Sequence, residues 1–184
     1  MTYVKYHAGL EKLSKRLFVS DCPIKYTEFT RERDSLEKSL LIYGPTGLGK
    51  IEYALSHFER PLKIEHLDML LAYSPTKFDG IVFDDMCFRH LPPTARIALV
   101  ENERPKDIHV RYTTVRLPAH TKKIFTHNDE YVFWGEDTMF NKDPLTRAQK
   151  EAIERRLTLL CVEEPLFLRE DRDGEALDEL GGPP

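Results

Sequence analysis

The fold is decided by residues 39–58, SLLIYGPTGLGKIEYALSHF, in which a short apolar run, a glycine-rich loop and an amphipathic segment follow one another. The run at residues 39–43 has the length of a buried strand and ends at Gly44, where a turn follows. Beyond the loop, the apolar side chains recur with the spacing of one helix face: Ile51, Ala54, Leu55 and Phe58. The stretch therefore predicts a strand, a turn and a helix in succession.

The loop itself, GPTGLGK at residues 44–50, fits the G-x-x-x-x-G-K pattern of a phosphate-binding loop. Glycines let the backbone turn its N–H groups inward, the next helix presents its positive end, and Lys50 supplies a charge for the β and γ phosphates. An ordinary glycine-rich turn is the alternative, which the flanking strand and helix disfavour. The predicted nucleotide-binding residues are Gly44, Pro45, Thr46, Gly47, Leu48, Gly49, Lys50 and Ile51.

One position of this loop departs from the pattern. A Ser or Thr normally follows the lysine because its hydroxyl ligates Mg²⁺, but this chain has Ile51. Isoleucine cannot coordinate a cation. Nucleotide binding through Lys50 and the backbone is compatible with this change, whereas magnesium placement, and with it hydrolysis, is called into question.

Short apolar runs continue to alternate with helical patterns along the chain. Strands are predicted at residues 62–65, 81–83, 123–126 and 157–162, a hairpin at 108–117, and helices at 66–73, 91–99 and 148–156. This order predicts an α/β fold with a mostly parallel five-stranded sheet flanked by helices. We expect a helical N-terminal segment at residues 1–38, the main domain at 39–162 and an acidic, disordered tail at 163–184.

Length and composition agree with one globular domain. The chain has 184 residues, 41% of them hydrophobic, and no apolar run long enough to span a membrane. The N-terminus lacks the apolar stretch of a signal peptide. Three widely separated cysteines predict neither a disulfide framework nor a zinc finger, so we expect a reducing, intracellular compartment.

The formal net charge of −4 is an average over unlike parts of the chain. Residues 163–184 hold eight acidic and two basic side chains, whereas residues 104–123 hold six Lys or Arg and a single Asp. The predicted hairpin lies in the basic segment and carries Arg111, Tyr112 and Arg116. Basic side chains can follow a phosphate backbone and an aromatic ring can stack on a base. A solvated charged loop is the alternative.

Polar groups follow the predicted strands where a parallel sheet gathers its ligands. Asp84 and Asp85 end the strand at 81–83: the first would hold hydrated magnesium, and the second would orient or deprotonate the attacking water. Asn128, after the next core strand, could hold that water against the γ-phosphate. Taken alone, the Asp pair suits a solvated turn and Asn128 suits strand-ending turn chemistry.

Two arginines, Arg155 and Arg156, stand between the last predicted helix and the last strand. Such arginines can reach across a subunit interface as an arginine finger that neutralises transition-state charge. The equal alternative is a solvated helix end, where basic residues suit the dipole.

The chain resembles the superfamily 3 helicase domain in the order of its motifs. These are the loop, the strand ending Asp-Asp, the basic hairpin, Thr126-His127-Asn128 and Arg-Arg. The chain is most similar to the ATPase half of rolling-circle replication initiators (Rep proteins) of small circular single-stranded DNA viruses and related plasmids. The resemblance spans residues 39–162.

The resemblance implies an AAA+-like P-loop ATPase that forms a homo-oligomeric, hexameric ring around single-stranded DNA. It implies that ATP and Mg²⁺ bind between the subunits and that no membrane is involved. It implies that Arg111 grips DNA, that Asn128 senses the γ-phosphate, and that Arg155 or Arg156 acts in trans. Members usually carry Thr-Ser-Asn where this chain has Thr126-His127-Asn128, so that His127 stands in place of the serine. They also begin with a nickase domain whose His-x-His and Tyr-x-x-Lys motifs are not found in this sequence, so nicking is not expected.

The leading hypothesis is therefore an ATP-dependent DNA helicase domain that acts at the site of viral or plasmid replication. The second is a degenerate nucleotide- and DNA-binding module without hydrolysis, motivated by Ile51. The third is a monomeric small-molecule phosphotransferase, which predicts no affinity for DNA.

Overall fold

The sheet expected from the sequence forms around β1 (Ser39–Tyr43), as seen in a computed structural model that describes residues 28–134 and 145–168. The other strands of this sheet are β2 (Pro61–Ile64), β3 (Gly80–Asp84), β6 (Lys122–His127) and β7 (Leu157–Cys161). All pairings are parallel, and the order across the sheet is β2-β3-β6-β1-β7. The prediction of an α/β fold with a five-stranded, mostly parallel sheet is confirmed for the described residues.

The remaining elements also follow the sequence pattern. The predicted hairpin is confirmed as the antiparallel pair β4 (Lys106–Val110) and β5 (Thr113–Leu117). The helices are α1 (Lys50–Leu55), α2 (Pro93–Val100) and α3 (Arg147–Glu154), with 3₁₀ turns at Leu67–Ala72 and Glu130–Val132. Within the described ranges, no helix has both the length and the apolar character that crossing a membrane requires.

Side chains alternate between the two faces of the sheet, as strand geometry dictates. On one face, residues such as Leu40 and Ile42 pack against α1. On the other face, residues such as Leu41 and Phe125 pack with α2, α3 and the inner side of the hairpin. Each fully buried aliphatic or aromatic side chain contributes about 1.5–3 kcal/mol to this packing. Helices therefore flank the sheet on both sides.

The helix after the loop is shorter than the apolar spacing predicts. It ends at Leu55. The Ser56 hydroxyl donates to the Tyr53 carbonyl oxygen at 2.8 Å, and the backbone continues in hydrogen-bonded turns. Phe58 is still buried, because its ring fills the space beside Gly80 where a Cβ would clash. A six-residue helix carries little macrodipole, so the positive helix end that the loop pattern predicted is weak.

The folded unit extends past both predicted boundaries. Residues 28–38 contain no helix, and Phe29 forms an isolated antiparallel bridge with Phe167. Residues 163–168, which we name the strap, belong to the fold, since the Leu166 N–H donates to the Leu48 carbonyl oxygen at 3.0 Å. The predicted helix in the first 27 residues and the rest of the predicted tail lie outside the described residues.

A buried polar cluster lies at the amino end of the sheet and changes the charge map. Lys123 is only 1% exposed, and its Nζ donates to the Glu101 carbonyl oxygen at 2.6 Å. Burial lowers the pKa of Lys123 to about 7, although the Glu101 carboxylate opposes the shift. Lys123 is therefore a core residue, and counting it in the basic surface of residues 104–123 was wrong.

Candidate functional site

The strand order brings the predicted site residues together. Because β6 lies between β1 and β3, the carboxyl ends of three neighbouring strands meet at one edge of the sheet. A cleft of about 430 Å³ opens there. It is lined by Thr46, Gly47, Gly49, Lys50, Ile51, Glu52, Asp84, Asp85, Thr126, His127 and Asn128. The loop after β1, the carboxylates after β3 and Asn128 after β6 thus share one cavity.

Two glycines of the loop are required by its path. Gly44 has φ 144°, and a Cβ at that position would clash with the Val162 carbonyl oxygen. Gly49 has φ 78°, and a Cβ there would lie 2.6 Å from the Phe167 ring of the strap. These backbone conformations favour glycine, and the close contacts exclude larger residues. The strap thus packs on the back of the loop and holds its shape.

Lys50 is buried at the head of the cleft. Its Nζ donates to the carbonyl oxygens of Gly44 and Pro45, at 2.8 and 2.6 Å, and to Oδ1 of Asn128 at 3.2 Å. Burial lowers the pKa of Lys50, and the nearby carboxylates of Asp85 and Asp84 oppose this shift. The ammonium group therefore links the loop to the residue after β6, on the side where a bound phosphate would lie.

The two carboxylates after β3 have different surroundings. One oxygen of Asp84 accepts a hydrogen bond from the Thr126 hydroxyl at 3.0 Å. The other oxygen forms an ion pair with Lys63 at 2.9 Å. Asp85 adopts φ 50°, and its side chain is 70% exposed, with His127 Nε2 3.6 Å from one of its oxygens. Asp84 is thus held in place, whereas Asp85 faces the solvent of the cleft.

Lys63 is the residue of this site that sequence reasoning missed. It lies on β2, where its Nζ bridges Asp84 at 2.9 Å and Glu65 at 3.0 Å. Burial acts to lower the pKa of Lys63, but the hydrogen bonds to Asp84 and Glu65 outweigh it and raise the pKa. The available signal was a lysine between the apolar residues of a strand next to the one that ends in Asp-Asp.

The donor set does not fit the magnesium ion that the resemblance implied. Ile51 lines the cleft where a hydroxyl ligand is expected, and both oxygens of Asp84 already accept from Lys63 and Thr126. Carboxylate and hydroxyl oxygens are the ligands that Mg²⁺ prefers.

The predicted finger residues lie away from this cleft. They precede β7, which runs parallel to β1, so they are at the amino end of the sheet, opposite the loop of their own chain. Arg156 donates from Nε to the buried carboxylate of Glu101 at 2.8 Å and from Nη1 to the Ala152 carbonyl oxygen at 2.7 Å. Arg155 is exposed. A role in the site of the same chain is excluded by this geometry, and a role in trans stays a prediction.

The hairpin is anchored on one face and exposed on the other. Its inner side chains, including Ile108 and Leu117, are buried, whereas Arg111, Tyr112 and Arg116 are exposed. Tyr112 stands at the tip with φ 63° and 94% exposure. Each arginine has a loose ion pair, Arg111 with Asp68 at 3.6 Å and Arg116 with Asp107 at 3.5 Å. The outer face therefore presents basic and aromatic groups whose charge is partly offset.

We found no match to the chain among protein-family models or among curated proteins. The chemistry of the cleft therefore rests on its own residues. Those are a glycine loop with an inward lysine, a fixed and an exposed carboxylate, and a terminal amide, all at one sheet edge.

Proposed function

We propose that the chain binds a nucleoside triphosphate, ATP, in this cleft, with the phosphates held by the loop of residues 44–50 and by Lys50. One observation carries the proposal: Lys50 Nζ lies within hydrogen-bonding distance of two loop carbonyl oxygens and of Asn128. Anionic phosphate oxygens are better acceptors for an ammonium group than neutral carbonyls, so they would draw this side chain towards the cleft. The volume of about 430 Å³ is within the usual range for a small-molecule site.

The domain type that fits these residues is the replication-initiator helicase named by the resemblance. In that proposal Asp85 orients and deprotonates the attacking water, since its carboxylate is exposed to the cleft. Asn128 senses the γ-phosphate through its side-chain amide, whose Oδ1 accepts a hydrogen bond from Lys50. An exposed Arg155 would serve a neighbouring subunit of a ring. Magnesium is not part of the proposal because its ligands do not fit.

Single-stranded DNA is the proposed macromolecular partner, and the hairpin is its proposed contact. The support is the set of exposed side chains on the hairpin: Arg111 and the almost fully exposed Tyr112 in the turn between β4 and β5, and Arg116 on β5. Exposed cations attract phosphates in a sequence-independent way, and a solvent-facing ring can stack on any base.

A second candidate, a nucleotide- and DNA-binding module that does not hydrolyse ATP, is favoured by two specific observations. Ile51 removes the hydroxyl that ordinarily completes the site, and Lys63 occupies the carboxylate of Asp84. Both observations bear on hydrolysis, and neither weakens phosphate binding by Lys50.

Phosphate release by the full chain, with and without single-stranded DNA, separates the two candidates. The helicase candidate predicts hydrolysis by the parent that DNA stimulates. The binding-module candidate predicts none in the parent, together with a gain of hydrolysis in Ile51→Thr but not in the hydroxyl-free Ile51→Val. If Lys50→Met does not weaken the binding of a fluorescent ATP analogue, both candidate functions are contradicted.

DNA binding is tested by fluorescence anisotropy of a labelled oligothymidylate over a range of salt concentrations. The Arg116→Ala variant should lower the slope of log affinity against log salt by about 0.7, the value for one single-strand phosphate contact. The Tyr112→Ala variant should weaken binding by about 1–3 kcal/mol with an unchanged slope. Lys123→Met serves as the control because that side chain is buried. Affinity that does not respond to salt would refute the hairpin contact.

A further inference from the structure

Lys63 is built into the edge of the nucleotide cleft. It lies on β2 between the buried residues Leu62 and Ile64, and β2 pairs in parallel with β3. In this register Lys63 is opposite Val82, two residues before Asp84, so a long side chain can reach that carboxylate. The resulting Nζ to Oδ2 distance is 2.9 Å, which is the length of a charge-assisted hydrogen bond.

The carboxylate that Lys63 contacts has a donor on each of its two oxygens. Its second oxygen accepts from the Thr126 hydroxyl at 3.0 Å, so both oxygens of Asp84 have donors. A divalent ion bound directly to Asp84 would lie beside the ammonium group of Lys63, and the repulsion between the two cations would weaken its binding. It would also lack a hydroxyl ligand, because Ile51 lines the cleft at that point.

Lys63 reduces the net negative charge around the cleft. Lys50 and Lys63 are the cations, whereas the carboxylates are Asp84 and Asp85, Glu52 of the lining and Glu65 beside Lys63, which gives a formal net charge of −2. If Lys63 were removed, these residues would leave a formal net charge of −3 next to incoming phosphates. A divalent cation is the usual remedy for such repulsion in phosphate sites.

We infer that Lys63 is a resident counter-cation for Asp84, and that the chain therefore binds ATP without needing a divalent cation. The inference rests on the proposed nucleotide site and adds its ionic requirement. Lys63 is a positioning and specificity residue in this scheme, because it acts on the phosphates through the charge of Asp84.

The test is a titration of the full chain with N-methylanthraniloyl-ATP, followed by fluorescence, in excess EDTA and in excess MgCl₂. For the parent, we expect affinities that differ by less than about threefold between the two conditions. For Lys63→Met, we expect binding in EDTA to weaken by about tenfold, equivalent to about 1.4 kcal/mol, and MgCl₂ to restore most of the loss.

Two variants provide matched controls. Lys63→Arg keeps the charge and should behave like the parent. Lys122→Met removes an exposed lysine at the amino end of β6, far from the cleft, and should also behave like the parent. Lys63→Gln, which keeps the length and polarity without the charge, replaces Lys63→Met if the latter does not unfold cooperatively.

The outcomes separate the two ideas. A parent that binds the analogue at least about tenfold better in MgCl₂ overturns the role of Lys63 and leaves the nucleotide site standing. Equal magnesium dependence in the parent and in the Lys63 variants also overturns it. Absence of binding in both conditions refutes the proposed nucleotide site itself. Magnesium dependence that appears only when the Lys63 charge is removed supports the inference.

Discussion

Replacing Lys123 with methionine is expected to change how the stability of the chain depends on pH. Lys123 is in the central strand β6 and is 1% exposed, with its Nζ donating to the Glu101 carbonyl oxygen at 2.6 Å. Burial lowers its pKa to about 7 from an ordinary value of 10.5. Methionine has a similar length and no charge, so it removes the titration while keeping most of the packing.

The sign and the size of the effect follow from linkage. Between the two pKa values the unfolded chain holds a proton on Lys123 that the folded chain has lost, so stability rises with pH in this window. The slope approaches about 1.4 kcal/mol per pH unit. From about pH 7 to about pH 9 the free energy of unfolding of the parent should therefore rise by about 2 kcal/mol relative to Lys123→Met. Other titrating groups are common to both proteins and cancel in this difference.

Urea unfolding of both proteins at several pH values in this window measures the effect. The exposed neighbour provides the control, because Lys122→Met should leave the pH dependence of the parent unchanged. If the curves for the parent and Lys123→Met stay parallel, the ammonium group keeps its proton in the folded chain and the argument from burial is refuted.

Two further predictions concern the loop and the arginines. Gly49→Ala should lower the free energy of unfolding by about 2–3 kcal/mol in urea, because it combines an unfavourable φ of 78° with a Cβ 2.6 Å from the Phe167 ring. Gly47→Ala, with φ 83° and open space around the added Cβ, should cost only about 1–2 kcal/mol, and equal losses would contradict the strap contact. Arg156→Ala should cost about 2–3 kcal/mol because it leaves a buried carboxylate unpaired, whereas the exposed Arg155→Ala should stay within about 0.5 kcal/mol of the parent. Equal thermal midpoints for the two arginine variants would count against the ion pair.

Most of the fold could be predicted because its signals are local. The buried runs at β1 and β3 are too apolar and too short for anything but core strands of a parallel sheet, and their alternation with helices fixes the class. The strap could not be predicted, because its two buried residues, Leu166 and Phe167, lie in a C-terminal stretch whose composition is mainly acidic. What retains them is the glycine-rich loop, which leaves room for an aromatic ring beside Gly49. This packing between the strap and the loop forms only in the folded chain, so the composition of the strap does not reveal it.

The position of the cleft was predictable for a related reason. The carboxyl ends of parallel strands all lie at one edge of the sheet, so residues after β1, β3 and β6 were expected at the same edge. The strand order, with β6 between β1 and β3, makes them neighbours there. Arg155 and Arg156 come before a strand rather than after one, and the same rule puts them at the opposite end. Their position relative to their own cleft could therefore have been derived from the predicted topology alone.

Two lysines show why the surroundings of a charged side chain are difficult to predict from sequence. Lys63 and Lys123 both lie inside strands, and a lysine in a strand ordinarily indicates a solvated face. Which group each one meets depends on the register with neighbouring strands and segments, so that Lys63 reaches Asp84 and Lys123 reaches the Glu101 carbonyl. The first lysine pairs with a carboxylate of the cleft, and the second is removed from the basic surface. Within residues 104–123, the exposed positive surface is therefore smaller than the sequence count implies.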